Sequence, residues 1–133
     1  MGEDDVVEVT GRCLCGTVRL HVAGDVIQSL HCHCESCRRA TSSPVGSFFT
    51  IRRADAELWG ETLTFFASSP GVRRGFCNRC GSPMSYQSDE RPEEIDLYLA
   101  SLEDAAGIVV DGHSYWNERV DWLQVVDDLP KDL

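Results

Sequence analysis

The sequence predicts a mainly β fold with little helix, arranged as one domain. Three observations carry that prediction. Short β-branched or alternating segments recur along the chain, turn residues separate them, and 133 residues suit a single core. Residues 1–5 read as a disordered acidic tip, leaving a domain over 6–130.

Residues 6–10 are β-branched and read as the first strand, with Gly11 as its end. Residues 17–22 alternate apolar and polar side chains as a half-buried strand does, and Gly24-Asp25 turns the chain. Residues 26–32 form a third strand that delivers the chain into a cysteine cluster. Residues 38–44 are small and polar, which suits a turn or a short helix ending before Pro44. Residues 45–51 are a further strand. Residues 57–60 and 62–66 look like a hairpin around Gly60-Glu61. Pro70-Gly71 marks a turn, residues 72–77 a strand into Cys77, and residues 82–87 a strand out of Cys80. Residues 95–100 alternate as a strand, and residues 103–106 suit one helical turn. Trp59, Phe65 and Trp122 are expected in the core.

Apolar residues at 42% and charged residues at 26% are the proportions of a soluble globular protein, and no apolar run is long enough for a membrane helix. The acidic start lacks the features of a signal peptide, so a cytoplasmic location with reduced thiols is expected. The net charge of -10 argues against nucleic acid and anionic membranes as partners. Eleven of the twelve basic residues are Arg, and Arg12, Arg38, Arg39, Arg73, Arg74 and Arg79 fall close to cysteines. A coding bias accounts for the Arg/Lys ratio as well as function does, but less well for that clustering.

Seven cysteines is an odd count, which a disulfide framework leaves unpaired and metal binding explains as four plus three. They form three groups: Cys13-x-Cys15, Cys32-x-Cys34-x-x-Cys37 and Cys77-x-x-Cys80. Thiolates this close repel unless a cation holds them, and zinc is the usual one. A CxC pair in extended chain puts both sulfurs on one face. A CxxC loop converges two sulfurs, and Gly81 permits the positive φ such a knuckle needs. One partition closes a structural four-thiolate site from Cys13, Cys15, Cys77 and Cys80, leaving Cys32, Cys34 and Cys37 as an open, catalytic-type site. A rival partition pairs Cys13 and Cys15 with part of the central cluster, and the spacing fits both. Any one cysteine is as readily a small buried hydrophobe, but seven in this pattern are not. The central cluster also suits a second structural zinc closed by a distant His or Asp. A redox CxxC lacks the βαβ context it needs.

At these residues the sequence resembles the glutathione-dependent formaldehyde-activating enzyme family, which includes centromere protein V-like domains. Gly11-Arg12-Cys13-Leu14-Cys15-Gly16-Thr17-Val18 is similar to the family opening G-x-C-x-C-G-x-V. Cys32-His33-Cys34-Glu35-Ser36-Cys37-Arg38 resembles its C-H-C-x-x-C-R, and Phe76-Cys77-Asn78-Arg79-Cys80-Gly81-Ser82 its F-C-x-x-C-G-S. His113 to Trp116, Trp122 and Asp128-Leu129-Pro130 resemble its closing segment. The resemblance implies a zinc-stapled fold of several small antiparallel sheets. It also implies two zincs per chain: a structural one on Cys13, Cys15, Cys77 and Cys80, and a catalytic one on Cys32, Cys34 and Cys37. The activity it implies is carbon–sulfur lyase chemistry, joining formaldehyde and glutathione reversibly to S-hydroxymethylglutathione.

For such a reaction Arg38 and Arg39 are candidates to pair with a substrate carboxylate. His33 is a weak candidate for proton relay, because in extended chain it points away from Cys32 and Cys34. His113 is the other candidate at the substrate, with Tyr115 and Trp116 as walls. Glu35 and Asp96 are possible bases among many surface acids. The alternative class is a non-enzymatic, zinc-stapled protein-binding module. A fourth protein ligand at the three-cysteine site would favour the module, and an open position would favour the enzyme.

Overall fold

The computed structural model describes residues 6–105 and 107–132. The acidic tip at residues 1–5 lies outside them. In chain order the strands are β1 (Val6–Arg12), β2 (Arg19–Asp25), β3 (Gln28–Cys32), β4 (Gly46–Arg52), β5 (Ala56–Trp59), β6 (Leu63–Ser69), β7 (Val72–Cys77), β8 (Pro83–Ser88), β9 (Glu94–Tyr98) and β10 (Gly112–Ser114). Among the described residues the one α-helix is α1 (Glu35–Thr41), with single 3-10 turns at Arg53–Asp55, Leu99–Ser101 and Trp116–Glu118. The mainly β architecture expected from the sequence is present.

The strands form two sheets: three strands in the order β1-β2-β5, and seven in the order β10-β3-β4-β9-β8-β7-β6. Every pairing is antiparallel except β10 with β3, which runs parallel. Alternation decides which side chains are inside. Val7 and Val9 on β1 and Leu20 and Val22 on β2 turn one face of the small sheet inward. They meet Phe49, Ile51, Ile95 and Leu97 from β4 and β9, and this cluster is the core. Each large side chain buried there stabilises the fold by roughly 1.5–3 kcal/mol. The opposite face of the large sheet carries Cys32.

Several expectations are corrected. Residues 57–60 and 62–66 are not a hairpin: β5 pairs with β2, and β6 pairs with β7 in the other sheet. Gly60 makes the break between them, since at φ 149° a Cβ would lie 2.4 Å from the Thr17 carbonyl oxygen. Gly11 does not end β1, which continues through it to Arg12. Residues 103–105 are not helical, the turn falling earlier at Leu99–Ser101, and Ala106 lies outside the described residues. Trp59, Phe65 and Trp122 are exposed at 48%, 48% and 71%, not in the core. Trp59 and Phe65 sit on edge strands with nothing packed over them, and Trp122 lies on the tail.

Candidate metal centre

The fold brings the seven cysteines into two groups, four plus three, and so decides between the partitions that spacing left open. The Sγ atoms of Cys13, Cys15, Cys77 and Cys80 lie within 4.8 Å of one another. Cys13 follows β1 directly and Cys77 ends β7, so this group ties the small sheet to the large one. Two glycine knuckles shape it. Gly16 at φ 86° and Gly81 at φ 83° bend the chain back, their amides bonding to the carbonyls of Cys13 and Cys77.

The sulfur separations suit a tetrahedral ion. Bonds of about 2.3 Å place two tetrahedral ligands roughly 3.8 Å apart; Cys13–Cys15 is 3.6 Å and Cys15–Cys77 is 3.8 Å. Donors surround the sulfurs. The Val18 amide lies 3.2 Å from Cys13 Sγ, and those of Arg79 and Cys80 lie 3.4 Å from Cys77 Sγ. The hydroxyls of Thr17, Thr62 and Ser82 each sit 3.2 Å from Cys15, Cys77 and Cys80 respectively. Such donors stabilise thiolate over thiol. The Ser82 hydrogen bond leads in holding the Cys80 thiol at about 5, whereas burial pushes Cys13 up.

The second group is Cys32, Cys34 and Cys37, again with Sγ atoms within 4.8 Å of one another. Cys32 is the last residue of β3, Cys34 caps α1, and Cys37 sits one turn inside it. Cys34 takes the role usually held by Ser or Asp, accepting from the Cys37 amide at 3.3 Å. The C-x-x-C spacing is thus a capped first turn of helix, and its geometry turns both sulfurs toward Cys32. Cys32 and Cys34 Sγ are 3.5 Å apart. Hydrogen bonds from the Cys32 and Cys37 side chains hold the Cys34 thiol down to about 2, while the same neighbours push Cys37 far up. The Cys34 contact raises Cys32 as well. Proximity therefore favours the thiolate on Cys34 and the thiol on Cys32 and Cys37. Both groups fit a soft divalent cation, but the second offers three protein donors among the described residues, not four.

The other candidate residues are placed as follows. Arg38 anchors its Nε on the His33 carbonyl at 3.1 Å, and Arg39 pairs with Glu35 at 2.8 Å. Both line an open groove of ≈ 460 Å³ with Ser42, Pro44, Val120 and Trp122. His113 is 1% exposed, its Nδ1 2.8 Å from His33 Nε2 and its Nε2 2.9 Å from Asp127. His113 therefore meets the cysteine segment through His33 and is almost closed to solvent. The Trp116 ring stacks edge-on against both imidazoles, and Tyr115 is exposed with φ 54°. Asp96 is held by Arg91 at 2.9 Å and Thr50 at 2.6 Å, so it is a buried structural acid. Sequence reasoning missed Asp127 and the approach of Arg74 to Tyr86 and Tyr98. The first sits in a tail without periodic pattern, and the second depends on the pairing register of three successive strands, β7, β8 and β9.

A Rhodobacter sphaeroides protein, a structural-genomics crystal structure, superposes with a TM-score of 0.58 at 28% identity, over 71% of this chain and 87% of that one. An uncharacterized lyase of Schizosaccharomyces pombe is 31% identical over 94 residues, 69% of this chain and 68% of its own. The family model for the glutathione-dependent formaldehyde-activating enzyme matches residues 8–118, a span holding all seven cysteines. With both cysteine groups assembled inside that span, the chain belongs to the glutathione-dependent formaldehyde-activating enzyme family.

Proposed function

We propose that the protein is a zinc-dependent carbon–sulfur lyase acting on a thiol–aldehyde adduct, with glutathione and formaldehyde as the leading pair. The observation that carries the reading is the contrast between the two groups: four sulfurs in one, three in the other, with both of the latter's helical cysteines half-exposed. The first would hold a structural zinc and the second a catalytic one. A zinc ion on Cys32, Cys34 and Cys37 would accept a thiol as fourth ligand and keep it as thiolate.

The chain's own residues do the rest. Arg38 and Arg39 present guanidiniums at the groove beside α1, suited to a carboxylate of the thiol. The thiolate sulfur attacks the aldehyde carbon, the C–S bond forms as the C=O π pair moves to oxygen, and that oxygen takes a proton. The reverse step breaks the C–S bond. His113 holds His33, and with it the cysteine segment, in place.

Zinc per chain, measured on anaerobically purified protein with and without glutathione, tests this. Two zincs are expected, one easily chelated and protected by glutathione. Exchange spectroscopy of formaldehyde with glutathione should show faster adduct formation and breakdown with the holoprotein. One tight zinc that glutathione does not affect, with no rate change, would favour a protein-binding module.

A further inference from the structure

Arg74 is a charged group that the proposed reaction does not use. The register of the large sheet puts Cys32, Phe48, Tyr98, Tyr86 and Arg74 on one face, the one turned away from the core. Arg74 lays its guanidinium carbon 4.9 Å from the centroid of the Tyr86 ring. It points on toward the phenol of Tyr98, two strands away. Tyr98 stands beside the three-cysteine group across Gly46. A Cβ there would lie 3.9 Å from Tyr98 Cε1 and 3.6 Å from Cys37 Cβ, ordinary contact distances that place the Tyr98 ring and Cys37 on either side of it. Gly46, Thr41 and Tyr98 also line a cavity of ≈ 510 Å³.

Two facts say that this guanidinium awaits an acceptor. Its Nη1 is closed to water and has no hydrogen-bond partner among the described residues. Asp96, a carboxylate on that face, is already paired with Arg91. Buried donors in native folds are almost always paired, so an unpaired guanidinium nitrogen calls for an acceptor. Arg74 as a whole is half-buried, so part of the side chain reaches the surface of that face.

We propose that Arg74, backed by Tyr86 and Tyr98, is an anion-binding group beside Cys32, Cys34 and Cys37, and that it takes a carboxylate carried by the thiol substrate. This rests on the reading that the three-cysteine site accepts a thiol. It adds that the thiol is acidic and lies along the open sheet face, so that Arg38 and Arg39 are left for a second carboxylate.

Calorimetric titration of the zinc-loaded full chain with ω-mercaptocarboxylates of increasing length, against 2-mercaptoethanol, tests it. A charge-assisted pair predicts that the best-fitting mercaptocarboxylate binds about tenfold tighter than the alcohol. Arg74→Met should remove that preference, and the affinity ratio is the readout because it cancels the effect of the lost charge on the thiolate that both ligands share. Tyr98→Phe, which keeps the ring and removes the hydroxyl, should lower the ratio in part, and it decides the matter if Arg74→Met does not fold. No preference in the parent, or one unchanged in the variants, overturns the proposal while the thiol site stands. Absence of binding by any thiol overturns both.

Discussion

Cys34 and Cys37 lie three residues apart and are pushed in opposite directions, Cys34 down and Cys37 up, chiefly by the hydrogen bonds among the three sulfurs. A cation entering this group must displace the protons that Cys32 and Cys37 retain. Metal affinity therefore rises with pH: raised thiol values mean protons are still bound at neutrality, and alkalinisation removes that competition. Competition with a chelator at about pH 6 and about pH 8 should show much tighter zinc at the higher value. An affinity that does not change would mean that the thiols are already ionised. Cys34→Ser removes the anionic member without touching the core, so zinc content should fall by one per chain while the far-ultraviolet circular dichroism stays that of the parent.

At the scale of elements, β9 is the element on which the core depends. Its Ile95 and Leu97 face the small sheet, while Tyr98 sits on the other side. Leu97→Ala should cost about 2–5 kcal/mol, seen as a lower denaturant midpoint at unchanged slope. β10 works differently. Only three residues long, it joins β3 in parallel, and His113 bridges His33 to Asp127. Asp127→Ala leaves a buried imidazole without its carboxylate and should lower the melting midpoint, with hydrogen exchange rising first in residues 112–118. Exchange that rose evenly over both sheets would place the loss in the core instead.

For the whole molecule, the four-cysteine group matters most, because it fastens the β1–β2 turn to the β7–β8 turn and so one sheet to the other. Cys80→Ser leaves three sulfurs there, and since structural zinc contributes folding energy directly, the cooperative melting transition should be lost or fall sharply. A variant that melts like the parent would show that the core alone holds the sheets together. Excess chelator should act in two stages, stripping the three-cysteine group first with little structural change and then unfolding the chain as the second ion leaves. No helix among the described residues is long and apolar enough to cross a membrane.

The strands at residues 72–77, 82–87 and 95–98 were legible because alternation and turn residues are local signals, sensed within a few residues. The cysteine motifs were legible for the same reason: each pair's spacing fixes which sulfurs share a face or a knuckle. The pairing of β5 with β2, the parallel docking of β10 and the exposure of Trp59, Phe65 and Trp122 were not, because they depend on which distant strand offers the complementary apolar face. The same holds for the site. Composition and spacing name the seven thiols. Their division into four and three and the contact of His113 with His33 arise only when segments remote in the chain are laid side by side, and the reach of Arg74 toward Tyr98 only when β7, β8 and β9 pair in register.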